Sequence, residues 1–212
     1  DRLVVVDEKG RFLGEEYTLA LAVAFALRER KGKLCTNLAT SRRIDDLAAA
    51  AGCEVLRAPT GEANVVEVML REGCFFGGEG NGGIIYPRVV PVRDSLVGIA
   101  CVLEYLAVTG RTVSELADEI PSYVLVKTKL PCPAGSAEAV ARAAREAFAA
   151  RPAARFNDAD GLRIDLPDAW VSVRASNTEP ILRIFAEAAT REAAEALVQQ
   201  VRRVADRVIA AG

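Results

Sequence analysis

The stretch "CFFGGEGNGGIIY", residues 74–86, decides how the first half of the chain is read. "CFF" and "IIY" are short apolar runs of the kind that form buried strands. Between them, residues 77–83 hold five glycines, and only Glu79 and Asn81 carry side chains. A hairpin turn needs few glycines, and ordering each costs more backbone entropy than ordering any other residue. The excess predicts a loop whose backbone something approaches closely, with Gly78, Glu79 and Asn81 presented to it.

Working outward, the flanks alternate between helix and strand. Downstream, "DSLVGIACVLEYLAVTG" (94–110) predicts a helix with Asp94 as N-cap. Upstream, "EEYTLALAVAFALRERKG" (15–32) predicts a helix with acids at its start, bases at its end and Gly32 as its stop. "KLCTNL" (33–38) and "CEVLRA" (53–58) read as strands. "SRRIDDLAAAAG" (41–52) reads as a helix capped by Thr40 or Ser41, and "TGEANVVEVMLREG" (60–73) as one capped by Thr60. "RLVVVDEKGRFLG" (2–14) reads as strand, tight turn, strand. This pattern predicts an α/β domain, a mixed sheet flanked by helices.

A second unit follows. "TVSE" (112–115) is a capping box opening a short helix, and Pro121 marks the expected boundary. Beyond it come a strand (123–130), a helix (136–150) and three strands, "LRIDL", "AWVSVRAS" and "EPILRIFAEA". A final helix (191–209) carries one apolar stripe of Ala194, Leu197, Val198, Val201, Val204, Ala205 and Val208. The order β-α-β-β-β-α predicts a small α+β domain with both helices on one face.

Composition narrows the function classes. The 212 residues are 51% apolar and 26% charged, a globular balance. The net charge of −2 offers no basic field for nucleic acid. No apolar run reaches the ~18 residues of a membrane span. The five cysteines, 35, 53, 74, 101 and 132, contain no CxxC pair and read as free buried thiols of a reducing cytoplasm. Histidine is absent, which removes Ser-His and Cys-His nucleophile pairs and His-based metal sites.

"RASNTEP" (174–180) falls at the turn between two expected strands. Arg174, the side chains of Ser176, Asn177 and Thr178, the turn N–H groups and nearby Arg183 make a candidate anion site suited to a phosphate. The same residues are also ordinary turn formers, so a plain polar hairpin is the competing reading.

Together, "DRLVVVDEKGRFLG", "GGEGNGGIIYP…VRDSLVGIACVLEYLA" and "RASNTEPILRIFAEA" closely resemble the α-D-phosphohexomutases, over essentially the whole chain and over the C-terminal half of that four-domain family. The resemblance implies that residues 1–14 are the tail of domain 2, 15–120 domain 3 and 121–212 domain 4, the last similar in fold to the TATA-box-binding protein. It implies that Glu79 and Asn81 bind sugar hydroxyls, and that Arg174, Ser176, Asn177 and Thr178 hold the phosphate that is not transferred. Asp1 and Arg2 look like the end of a D-x-D-x-D-R loop. Its three Asp bind Mg²⁺ in the whole protein, and no metal is expected on this chain alone. The implied partners are hexose phosphates, a hexose bisphosphate and the N-terminal domains 1 and 2. The implied reaction moves a phosphoryl group between the 1- and 6-positions of a hexose through a phosphoserine that this chain does not contain. The chain is therefore expected to be inactive by itself. The sugar loop departs from the family's common G-E-x-S-G-H form, with Asn81 for Ser and Gly83 for His. A non-catalytic sugar-phosphate-binding module is the alternative. A nucleic-acid role is opposed by the acidic charge.

Overall fold

The computed structural model describes residues 1–211 except 134 and 177. Residues divide into two compact units, Asp1–Ser122 and Tyr123–Gly212.

The first unit runs α1 (Glu15–Glu29), β1 (Leu34–Asn37), α2 (Arg43–Ala50), β2 (Val55–Ala58), α3 (Glu62–Glu72), β3 (Phe76–Glu79), β4 (Gly83–Tyr86), β5 (Val90–Arg93), α4 (Ser95–Thr109) and α5 (Val113–Asp118). Its sheet has the order β2-β1-β3-β4-β5. β1 pairs in parallel with β2 and β3, and β4 is antiparallel to β3 and β5. Successive strand residues face opposite sides of a sheet. Leu34, Phe76 and Ile84 accordingly join the apolar side chains of α1, α2 and α4 on one face. Cys35 and Ile85 join Val65 and Met69 of α3 on the other.

The helix ends with local side-chain signals match the sequence reading. Asp94 accepts from the N–H groups of Leu96 (2.8 Å) and Val97 (3.4 Å). Thr112 and Glu115 form the reciprocal capping box. Of the two residues expected to cap α2, Ser41 contributes, its Oγ accepting from the Arg43 N–H (3.2 Å), while the Thr40 hydroxyl is turned toward the glycine segment. Two helix ends differ. α3 has no side-chain cap, because Gly61, not Thr60, precedes it. α1 ends at Glu29, and Gly32 is needed for space: a Cβ there would meet the Phe75 ring closer than 3.0 Å.

Two sheet features differ as well. β5 is not visible in the sequence, because Pro91 interrupts it; a proline is tolerated there because β5 is an edge strand. Residues 2–14 make the expected tight turn but pair only briefly: the bridge Val6↔Phe12 is flanked by hydrogen bonds from the Asp7 N–H to the Arg11 carbonyl (3.0 Å) and from the Leu13 N–H to the Val5 carbonyl (3.1 Å). The Asp7 carboxylate braces the turn. Its Oδ1 accepts from the N–H groups of Lys9 (2.9 Å) and Arg11 (2.8 Å), and its Oδ2 pairs with Arg11 Nε (2.8 Å). Next to it, Glu8 accepts from both the hydroxyl and the N–H of Ser114 at the start of α5.

These carboxylates make the first unit sensitive to acid. Burial pushes the Asp7 carboxyl up, but the Arg11 backbone N–H, the Arg11 guanidinium and the Lys9 N–H outweigh it and hold it below its usual range. The Ser114 hydroxyl, foremost, holds Glu8 low. Both groups have a depressed folded-state pKa, so their stabilisation is present above the unfolded-state values of about 4 and is lost as pH falls through the lower folded values. The melting temperature of the first unit is expected to drop below about pH 4. Asp7→Asn should flatten that dependence. An unchanged acid limb in the variant would remove Asp7 from this role.

The second unit runs β6 (Val124–Pro131), α6 (Ser136–Phe148), β7 (Arg155–Asn157), β8 (Leu162–Asp165), β9 (Trp170–Ala175), β10 (Ile181–Ala188) and α7 (Arg191–Ala211). Its antiparallel sheet has the order β6-β10-β9-β8-β7. The order is therefore β-α-β-β-β-β-α. β7 is an addition to the expected order: only three residues long, it begins where the Ala-rich run 141–155 ends and exists through its pairing with β8. Val140, Ala144 and Phe148 of α6 and the Ala194–Ala205 stripe of α7 pack with Ile164, Val171, Val173, Leu182 and Ile184 in one core. The strand residues between these, including Arg163, Arg174, Arg183 and Lys129, belong to the opposite face. All five cysteines are free; four are buried as expected, and Cys53 is half-buried. No helix among the described residues is long and apolar enough to cross a membrane.

Candidate functional site

β1, β2 and β3 are parallel, so the segments that follow them emerge at one edge of the sheet. The carboxyl ends of parallel strands are where open α/β sheets bind ligands. Here that edge gathers Asn37 at the end of β1 and Thr40 after it, Gly61 and Glu62 after β2, and residues 79–82 at the end of β3.

The glycine segment is mostly strand. β3 continues through Glu79, β4 begins at Gly83, and only residues 80–82 turn. The expectation of a bare loop awaiting a ligand is corrected by what lies against each glycine. A Cβ on Gly77 would lie closer than 3.0 Å to the Cys35 carbonyl oxygen, and one on Gly78 as close to that of Gly83. Gly80 is similarly crowded by the Glu16 carboxylate, Gly82 by the Leu3 carbonyl and Gly83 by the Arg93 side chain. The protein itself makes the close approach. Gly78, with φ 151°, also adopts a backbone conformation that side chains disfavour.

Glu79 does not project from the turn. Its side chain is 3% exposed. Oε1 accepts from Asn37 Nδ2 (2.7 Å) and the Gly61 N–H (3.2 Å). Oε2 accepts from Asn81 Nδ2 (3.3 Å) and pairs with Arg93 Nη1 (3.1 Å). The inward turn has a clear cause: Asn37, Gly61 and Arg93 converge on the strand end and supply the donors a buried carboxylate needs. Asn81 is half-buried, and its Oδ1 accepts from the Gly83 N–H (3.1 Å). Thr40 completes the turn, accepting from the Gly80 N–H (2.9 Å) and donating to Asn37 Oδ1 (2.9 Å).

The chain start lies beside this edge. Leu3 N–H donates to the Gly82 carbonyl (3.0 Å), Asp1 Oδ2 pairs with Arg93 Nη2 (2.7 Å), and Arg2 is exposed. No cluster of three metal-ligating acids, cysteines or histidines occurs among the described residues. With its one carboxylate bound to a guanidinium, Asp1 does not by itself fit the octahedral oxygen set of Mg²⁺.

In the second unit, Arg174 and Arg183 are directly opposed on β9 and β10. Like charges directly opposite in a sheet repel. The Nε atoms of both are buried and make no hydrogen bond among the described residues. Arg183 Nη2 donates to Ser176 Oγ (3.5 Å), which lies 3.5 Å from Thr178 Oγ1 and accepts from the Thr178 N–H (3.4 Å). The turn is closed by the Ser176 N–H to the Ile181 carbonyl (2.9 Å). Arg174 is drawn to Asp160 (3.7 Å), and Arg183 to Glu179 (3.8 Å). Ser176, Thr178 and Arg183 are thus assembled, with Arg174 across the strand pair; Asn177 lies outside the described residues. Lys129 of β6, the register partner of Arg183, adds a cation to that row.

Sequence reasoning missed Asn37, Thr40, Glu62 and Arg93. Asn37 at the end of a buried strand was a usable signal. Arg93 carried none, because its partners are distant in sequence.

A mixed five-stranded α/β unit with this strand-end cluster is followed by an antiparallel unit with a cationic turn. Family models agree: "Phosphoglucomutase/phosphomannomutase, alpha/beta/alpha domain III" matches residues 14–123 and "Phosphoglucomutase/phosphomannomutase, C-terminal domain" matches residues 125–204. The chain belongs to the α-D-phosphohexomutase family and corresponds to its C-terminal half. It is 40% identical over 195 residues to "Phosphoglucomutase/phosphomannomutase" of Thermococcus kodakarensis, covering 92% of this chain and 42% of that protein. It is 38% identical over 217 residues to "Probable phosphoglucosamine mutase" of Methanopyrus kandleri, covering 98% and 47%. A phosphoglucomutase/phosphomannomutase family protein of Burkholderia thailandensis superposes with a TM-score of 0.81 at 25% identity, covering 98% of this chain and 44% of that one. The chain spans less than half the length of these relatives.

Proposed function

We propose that this chain is the substrate-recognition half of a phosphohexomutase that interconverts hexose 1- and 6-phosphates through a phosphoserine and a bisphosphorylated sugar. The observation that carries the reading is the opposed Arg174–Arg183 pair beside the Ser176 and Thr178 hydroxyls. Two guanidiniums on adjacent strands, whose buried Nε atoms have no hydrogen-bond partner among the described residues, are stabilised by an anion with several acceptor oxygens, and a phosphate supplies that. In the first unit, Asn81 meets a sugar hydroxyl. Both oxygens of Glu79 have their acceptor sites occupied, so a hydroxyl reaches Oε2 by displacing the Asn81 amide, the longest of its contacts at 3.3 Å. Mg²⁺ would stabilise charge developing on the transferred phosphoryl group, and the residues for it belong to the whole protein. The free thiols suit a cytoplasmic location.

Calorimetry with glucose 1-phosphate tests this. Arg174→Ala is expected to weaken binding by about 1.5–3 kcal/mol, the range for a hydrogen bond to a charged group. Equal affinity of variant and parent would reject the phosphate role.

A further inference from the structure

We propose that Arg93 is the positioning residue of the sugar-recognition turn, acting through Glu79 on Asn81; this rests on the sugar-binding role proposed above for that turn. Arg93 ends β5 and is bound on every side by acids. Its backbone N–H donates to Glu62 Oε1 (2.7 Å) and its Nε to Glu62 Oε2 (2.9 Å). Nη1 pairs with Glu79 (3.1 Å) and Nη2 with Asp1 (2.7 Å). One guanidinium thus joins three carboxylates that come from the chain start, the segment after β2 and the end of β3. Its side chain is 16% exposed. The rigid fork of five donors makes such a junction possible, and a lysine ammonium could not reproduce it. The Glu62 carboxyl is held low, first by the Arg93 backbone N–H, which with the guanidinium outweighs the effect of burial.

The methylenes of Arg93 matter as much as its charge. They lie where a side chain on residue 83 would be, since a Cβ there would come closer than 3.0 Å to Arg93 Cγ and Cδ. Gly83 is therefore the space through which Arg93 reaches Glu79. In turn, Glu79 Oε2 holds the Asn81 amide, and the Arg93–Asp1 pair holds the N-terminal segment whose Leu3 N–H fastens Gly82. Without Arg93, Asp1, Glu62 and Glu79 would repel one another around the turn, and Asn81 would lose its orientation.

The test compares two ligands on the full chain by calorimetry: glucose 1-phosphate, which engages the turn, and inorganic phosphate, which needs only the second unit. Arg93→Met is expected to weaken glucose 1-phosphate about tenfold, the loss of roughly one charged hydrogen bond, and to leave inorganic phosphate unchanged. Gly83→Ala keeps every charge and displaces the Arg93 side chain, so it should give the same selective loss; it decides the matter if Arg93→Met fails to fold. Unchanged glucose 1-phosphate affinity in Gly83→Ala, or equal loss for both ligands, overturns the proposal. If the parent chain binds the two ligands equally, the sugar-binding role of the turn fails, and the role of Arg93 with it.

Discussion

Gly77→Ala is expected to lower the melting temperature of the Asp1–Ser122 unit sharply while leaving the second unit's melting transition in place. The added Cβ would sit closer than 3.0 Å to the Cys35 carbonyl, a backbone atom of the neighbouring strand that cannot swing aside. Cys35 and Gly77 are register partners in the parallel β1–β3 pair, and β1 is held on its other side by β2. Leu34 and Phe76, fully buried next to them, prevent the strands from separating. Overpacking of this kind costs about 3 kcal/mol or more, a large share of a domain's stability of about 5–15 kcal/mol. Gly110→Ala is the control: its φ of 65° also disfavours a side chain, but nothing lies within 4 Å. That change should cost only about 1 kcal/mol. Scanning calorimetry separates the two cases. A Gly77→Ala chain that melts normally but no longer binds glucose 1-phosphate would restore the view that these glycines serve a ligand.

The second large effect is expected at Glu79. Glu79→Gln keeps the shape but removes the charge that faces Arg93, and it puts an amide N–H₂ where one carboxylate oxygen accepts two hydrogen bonds. Breaking a buried ion pair by altering one partner costs about 3–5 kcal/mol. Arg93 keeps Asp1 and Glu62, so the lower end applies. Urea unfolding of the first unit should show the loss, together with weaker glucose 1-phosphate binding. Stability equal to the parent with binding lost would mean that Glu79 is turned toward the ligand in solution, as the sequence alone suggested.

The helices were the most legible part of the molecule. The Asp94 cap and the Thr112–Glu115 box are made by residues two or three apart, so spacing alone reveals them. β5 and β7 were not legible, because a proline in one and the three-residue length of the other obscure strands that exist through their neighbours. In the second unit the turn at 174–180 could be read from its residue types. That Arg174 and Arg183 oppose each other is a matter of register, which depends on how β9 and β10 pair.

By itself, the sequence determined the class of each unit, the alternation that builds the first sheet, the apolar stripe of α7 and the polar turn between β9 and β10. These are properties of periodicity and short-range hydrogen bonding, and they survive without knowledge of what packs where. Only the tertiary structure decided that the five glycines of 77–83 are crowded by Cys35, Gly83, Glu16, Leu3 and Arg93, that Glu79 faces inward, and that Arg93 joins Asp1, Glu62 and Glu79. Space and charge pairing at a buried point depend on atoms brought together from distant parts of the chain, and no local pattern encodes which atoms those will be.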